Sequence, residues 1–471
     1  MAAEPWASSD PRSASRPGYP VWGWAVCVGG FLLFAALAVI RFETWRALTF
    51  DLGWYSQALW AIGQGHLTAT TSLIGIPPIS QAESYVLYPL ALLYRVAGQR
   101  GILALQSACL ASGVLPLSRF VTRRGIPTYL GVLVVLAYLF YPAVAATNLF
   151  DFHPDVLVVP LFFWALQAME EERWGLYIAM MALAPLVKND LAAVTIVMAL
   201  PLLYKRQWGL AALTAGWGGA ILLLDLHVVG PHFAHAITNW GEYSYLGKSP
   251  HQALLTLLTH PLLIWRQVTR ARGLQYLAVL LIPLLVWPVI RGLASGVVWP
   301  ALSVMGVNLL SVNASNRADP YDYFTVAAVP FLFWAVVEWL PKRVSPRLAT
   351  AVFVLITGLS VTTGVTVRRA FLWPANPPVA ALNLAATKIP PAAPLYGSDV
   401  TLAPLVNRTQ VYEVTSPQSL TKPGPYSWLL LTTWDAPWQL PEGSLVHYAL
   451  THPTWTVRFH QGNVWLFQAR G

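Results

Sequence analysis

Between Val21 and Val367 the chain runs in apolar stretches, each near the length of a membrane-crossing helix, separated by short polar or basic turns. A hydrocarbon core about 30 Å thick takes roughly 20 residues of helix, and about eleven stretches qualify. They lie near Val21–Ile40, Gly101–Ser118, Pro127–Ala146, Pro154–Met169, Trp174–Val187, Leu191–Tyr204, Trp208–Val229, Gly273–Ile290, Leu293–Ser311, Tyr323–Leu340 and Leu348–Val367. The expectation is an all-α polytopic membrane protein with about eleven transmembrane helices, in a range of about 10–13. Composition agrees. Charged residues make up 10% of the chain and apolar residues 56%, where a soluble domain carries roughly 25% charged residues. A chain so poor in charge cannot cover itself in water, and its 22 Trp and 37 Pro fit neither a disordered chain nor a coiled coil. The net charge of +9 does not imply nucleic acid, because the basic residues sit in short turns between apolar runs. Cys27 and Cys109 both fall inside such runs, which removes a disulfide framework and a thiolate metal site.

Basic residues in short loops mark the cytoplasmic side. With the N-terminus inside, Arg119, Arg123 and Arg124, then Arg173, Lys205 and Arg206, Arg291, and finally Lys342, Arg343 and Arg347 all fall on inner turns. The chain then divides into a cytoplasmic tail (1–20), a transmembrane domain (21–371) with a large first outer loop (41–100), and an extracytoplasmic domain (372–471). The first apolar run is long for a signal peptide and reads as an uncleaved anchor. Ser84–Ala97, interrupted by Pro89 and Arg95, reads as an interfacial or re-entrant helix. Beyond Val367 the sequence turns polar and Pro-rich. Short apolar strands at Tyr426–Thr433 and Trp455–Arg458, the turn Gln461-Gly462-Asn463 and a helix at Val379–Lys388 predict a small α/β domain.

With charge so scarce, the ionisable residues at helix ends on the outer side carry the information. Asp51, in Phe50-Asp51-Leu52-Gly53, either caps a helix on the membrane surface or serves chemistry. In Asn148-Leu149-Phe150-Asp151-Phe152-His153-Pro154-Asp155, Pro154 and Asp155 are ordinary helix-start signals. Asp151 and His153 are not, and with Asp155 they offer ligands for a divalent cation such as Mg or Mn, or a route for a proton. In Lys188-Asn189-Asp190, Asp190 caps a helix while Lys188 either faces the preceding helix end or holds a phosphate. Arg317 belongs to a charged outer loop with Asp319 and Asp322. Asp225 and His227 lie inside the seventh run and need a partner other than lipid. Phosphate-loop, dinucleotide-fold, zinc-protease and nucleophile-elbow patterns are all missing from the sequence.

Several stretches together carry a family likeness: Phe50-Asp51-Leu52-Gly53 with Gln57-Ala58-Leu59-Trp60, Leu105-Gln106, Tyr141-Pro142 through Pro154, Leu186-Val187-Lys188 with Asp190, Tyr245-Leu246-Gly247 with Ser249, Asn308-Leu309-Leu310-Ser311, and Pro330-Phe331. From about Arg41 to Leu340 the chain resembles the bacterial polytopic membrane proteins known only as a domain of unknown function and grouped with the GT-C glycosyltransferases. It departs from them at Ser56 and Asn189, where the family usually has acids, and at Gln81–Ser84 and Asp319–Tyr323, where it has histidine-bearing patterns. The likeness implies a GT-C-like enzyme of the bacterial cytoplasmic membrane that transfers a sugar from a polyprenyl-phosphate carrier to an acceptor on the outer face. Asp51 would be the base; Lys188, Arg317, Gln57 and Asp190 would bind substrate or phosphate; Asp151, His153 and Asp155 would hold a metal. A transporter of a lipid-linked or amphiphilic substrate and an inactive envelope scaffold are the competing readings, and the expected partners are membrane lipids, the lipid-linked sugar and its acceptor.

Overall fold

The computed structural model describes residues 18–67, 71–73, 75, 77, 79, 83–233, 240–284, 286–313, 317–343, 345–347, 350–351, 354, 376–421, 423–433 and 442–470. The eleventh expected span lies almost wholly outside these residues, as do Gln81 and Ala82. The chain is mostly helical up to Arg343 and ends in a small sheet domain.

Among the described residues, four helical segments are long and apolar enough to cross a membrane: Val21–Glu43, Leu87–Arg123, Trp208–His232 and Tyr323–Leu340. Counting each bent pair as one span raises the number to six. The expected count of about eleven is not reached, because several predicted runs fold as shorter helices. Trp174–Leu186, Asn189–Tyr204 and Trp299–Leu310 are apolar but only 10–17 residues long. Breaks inside the runs account for this. Thr128–Leu139 and Pro142–Leu149 meet at 46°, with Pro142 opening the second helix, and a proline there cannot continue the hydrogen-bond ladder. The stretch from Leu87 to Ser112 is two helices meeting at Gly98, whose φ of 59° and ψ of −154° suit only glycine. The first of the two begins at Leu87 in the segment expected to be interfacial or re-entrant.

The transmembrane helices share one core. Phe120 stacks on Trp334, with ring centroids 4.0 Å apart, and Tyr138 meets Phe163 and Phe333 edge-on. Buried Arg119 donates to Glu171, which also meets Arg123, so the helix ends expected on the inner side are tied by paired charge.

The C-terminal sheet has five strands: β1 Leu395–Gly397, β2 Val411–Glu413, β3 Trp428–Thr432, β4 Trp455–Gln461 and β5 Val464–Ala469, in the order β2-β1-β3-β5-β4. β1 runs parallel to β2 and β3, while β5 is antiparallel to β3 and β4. The expected turn at Gln461–Asn463 closes the β4–β5 hairpin with Gly462 at φ 57°, and the expected helix forms at Val379–Ala386. This domain sits on the segment 41–100, the expected first outer loop. Trp45 Nε1 donates to Asn383, Tyr94 to Asn407, and Gln99 to the Ala403 carbonyl.

Candidate functional site

Thr49–Gly53 forms one π-helical turn that continues as the helix Trp54–Gly63. The first amides of any helix lack partners within it. Here Asp399, just past β1, supplies them: its Oδ1 accepts from Thr49 N at 2.9 Å and Phe50 N at 3.0 Å. The C-terminal domain therefore caps the turn that carries Asp51. Gly53 permits the approach, since a Cβ there would come within 3.3 Å of Val406 and 3.5 Å of the Ala403 backbone.

Gln106 arranges the segment Asn148–His153. Its amide nitrogen donates to the carbonyls of Thr147, Asn148 and Asp151, and its oxygen accepts from His153 N at 3.2 Å. Asp151 is held at φ 122°, a sparsely populated conformation that its surroundings must impose. Its carboxylate takes Arg41 in a buried ion pair and accepts from Leu48 N at 3.0 Å. The loop so fixed delivers His153 Nε2 to within 3.2 Å of Asp51 Oδ1. The imidazole stacks on Tyr323 at 3.5 Å between centroids and meets Tyr55 edge-on. Its Nδ1 is buried without a hydrogen-bond partner.

Burial, reinforced by the charge of Asp399 and opposed by Arg41, pushes the Asp51 carboxyl up to about 7. Burial drives His153 the other way, to about 3, with Asp155 opposing and Lys188 adding to the shift. The imidazole is thus neutral, and Asp51 gains or loses its proton near neutral pH. The Asp51 side chain is 14% exposed and that of His153 2%, so the carboxyl is the member of the pair that a ligand can reach.

Lys188 also approaches the Tyr323 ring. Its Nζ donates to Asp155 Oδ1 at 3.0 Å, lies 3.8 Å from Asp190, and sits 5.5 Å from the Tyr323 ring centroid. Burial works against its charge, but Asp155 and Asp190 outweigh it and leave its pKa raised. Asn189 begins the helix Asn189–Val197 and donates to the Glu83 carboxylate. Arg317 pairs with Glu242 and lies 4.8 Å from the Phe324 ring.

Asp51, His153, Tyr323, Lys188 and Asp155 thus form one chain of contacts. The three residues expected to share a metal do not. Asp151 turns to Arg41, His153 to Asp51 and Asp155 to Lys188, and no group of three or more His, Cys, Asp or Glu among the described residues could hold a metal ion. Gln57, expected at substrate, spends its amide on Ser72, the Arg408 carbonyl and Leu73 N, tying the outer loop to the C-terminal domain. Asp225 and His227 do not pair either: buried Asp225 accepts from Tyr85, while His227 is exposed. A cavity of about 330 Å³ lies away from the pair, between Glu43, Trp45, Gly98, Arg100, Asn383 and Asn407. Sequence reasoning missed the roles of Arg41, Gln106 and Asp399. Only Gln106 stood within a family-like stretch.

A family profile described as "Predicted membrane protein (DUF2079)" matches residues 43–405. The chain belongs to that family and is a membrane protein. The match continues past Leu340 through β1 and Asp399, so it takes in the segment that caps the Asp51 turn. No curated protein matches the chain.

Proposed function

We propose that this member of the family is a membrane glycosyltransferase that moves a sugar from a polyprenyl-phosphate donor to an acceptor hydroxyl at the outer face of the bacterial cytoplasmic membrane. The observation that supports the reading is the Asp51–His153 pair: a carboxyl with a pKa near 7, partly open, hydrogen-bonded to a neutral imidazole and capped from behind by Asp399. A general base works best with a pKa near the operating pH. In the proposed step Asp51 takes the acceptor's proton while the acceptor oxygen attacks the anomeric carbon. The bond from that carbon to the phosphate oxygen breaks, and the electron pair leaves with the phosphate. The proton remains on Asp51, where the pair stores it. His153 orients the carboxylate through Nε2, and Tyr323 holds the imidazole by stacking. Lys188, stabilised as a cation by Asp155 and Asp190, contributes positive potential beside Tyr323.

The test is sugar transfer in membranes carrying the full chain, with a polyprenyl-phosphate sugar as donor. Asp51→Asn is expected to abolish transfer while leaving the protein folded, as loss of the general base requires, and His153→Ala, which removes the partner that orients the carboxylate, to slow transfer without abolishing it. Full activity of Asp51→Asn removes Asp51 from the reaction.

A further inference from the structure

The cations around the outer site are almost all paired. Arg41 is held by Asp151, Lys188 by Asp155 and Asp190, Arg317 by Glu242 and Arg100 by Glu43. Arg408, in the C-terminal domain, donates to the carbonyls of Leu405, Pro390 and Ala393. Arg46 is different. Its Nε is buried with no hydrogen-bond partner, and no ion pair reaches it among the described residues. Glu43, three positions earlier, turns to Arg100 instead. The nearest charge that acts on Arg46 is a second guanidinium, that of Arg41, and burial and this repulsion together lower its pKa. Arg41 itself is 6% exposed, and its Nε also lacks a partner.

Arg41 has Asp151 as its acid, whereas Arg46 has none among the described residues, and a buried guanidinium donor left unused is costly unless something negative completes it. Their position is fixed. Arg46 lies just beyond the end of the helix Val21–Glu43, with its amide bonded to the Arg41 carbonyl at 3.1 Å. Trp45 before it adopts φ 56° and is pinned through its indole to Asn383 of the C-terminal domain. A segment at the end of a membrane span sits at the depth of lipid headgroups. Arg46 is half-buried rather than sealed, and Asp51 follows five positions later, a reach of at most about 18 Å of chain.

We propose that Arg46, backed by Arg41, is a binding site for a phosphate group, taken from a lipid headgroup at the membrane surface or from free phosphate. A guanidinium fork matches phosphate oxygens, and this one has no protein acid to satisfy it. The assignment rests on the transferase reading only in identifying the phosphate with that of the sugar donor. It gives Arg46 the contact for which Lys188, already committed to two acids, is poorly free.

Binding of dodecyl phosphate to the purified full-length protein in a neutral detergent tests it, with dodecanol as the uncharged control, inorganic phosphate as the free anion, and thermal unfolding of each ligand-free variant alongside. Arg46→Gln is expected to weaken dodecyl phosphate binding about 10-fold or more, the weight of a charge-assisted contact, with Arg46→Lys in between and exposed Arg95→Gln unchanged. Because Arg46→Gln removes an uncompensated charge beside Arg41, the ligand-free variant should unfold at the same temperature as the wild type or higher. Inorganic phosphate binding as tightly, with the same loss in Arg46→Gln, assigns the site to a soluble phosphate. Equal binding of dodecanol, undiminished binding by Arg46→Gln, or a lower unfolding temperature in that variant overturns the proposal. Loss of transfer in Asp51→Asn is independent of these outcomes, so failure of the phosphate site and failure of the transferase reading are read separately.

Discussion

The strongest structural consequence of the fold is that a residue of the C-terminal domain holds the turn carrying Asp51, and replacing Asp399 exposes it. In Asp399→Ala, two buried amides, Thr49 N and Phe50 N, lose their shared acceptor. Loss of a helix cap costs about 0.5–2 kcal/mol, and a buried donor left unsatisfied about 1–3 kcal/mol. A value of about 2 kcal/mol for local opening of the turn is therefore expected, equivalent to about 30-fold faster exchange of its amide hydrogens. Hydrogen exchange read by mass spectrometry over Trp45–Trp54 measures this directly, without requiring reversible unfolding of the whole protein. Asp399→Asn separates the acceptor from the charge. Its amide oxygen can still accept, so protection should largely persist. Without the negative charge of Asp399, the Asp51 pKa should fall from about 7. The infrared band of the protonated carboxyl, assigned by its loss in Asp51→Asn, should then disappear at lower pH. Unchanged exchange in Asp399→Ala would show that the cap is dispensable and that packing alone holds the turn.

Other outcomes follow from the same contacts. Arg41→Met strands the Asp151 carboxylate, 1% exposed, without its cation; a loss of about 3–5 kcal/mol is expected, larger at pH 8 than at pH 6 and relieved by adding Asp151→Asn, measured by thermal unfolding in detergent. Burial pushes Asp51, Asp151 and Glu83 up to about 7, against about 4 in an unfolded chain. The folded state therefore binds more protons between those values, so stability should fall as pH rises from about 4 to about 7 and level off above; a flat unfolding midpoint over that range contradicts the burial of these acids. Ser419→Cys, in an exposed turn of the C-terminal domain, should react with a membrane-impermeant maleimide on intact cells over the low background of Cys27 and Cys109. Labelling only after permeabilisation places that domain inside.

Much of this was legible in the sequence, and the boundary has physical causes. Apolar runs identified a membrane protein, but a run measures hydrophobicity and not unbroken helix. Pro142 interrupts the ladder inside Pro127–Ala146, a stretch that reads as continuous, whereas Gly98 falls between two expected segments and breaks the helix there. The hairpin of β4 and β5 announced itself through strand length and Gly462, whereas β1 and β2 are three residues each and too short for alternation to show. Asp51 reads as a helix cap or a chemical group and His153 as a residue that helix-start signals leave unexplained, yet their meeting across 102 positions depends on Gln106 gathering the Asn148–His153 backbone, which no local pattern announces.

The acids show the same limit most sharply. Asp151, His153 and Asp155 stand at alternate positions and invited one metal, a reading that counts donors but not the cations competing for them. Arg41 and Lys188, from distant parts of the chain, reach two of the three, and in a low-dielectric interior a buried acid stays charged only with such a partner. Once those partners are assigned, Asp51 is left facing a neutral imidazole and a second acid, Asp399, and Arg46 faces no acid at all. The functional reading therefore rests less on which charged residues the chain has than on which of them its own fold leaves unsatisfied.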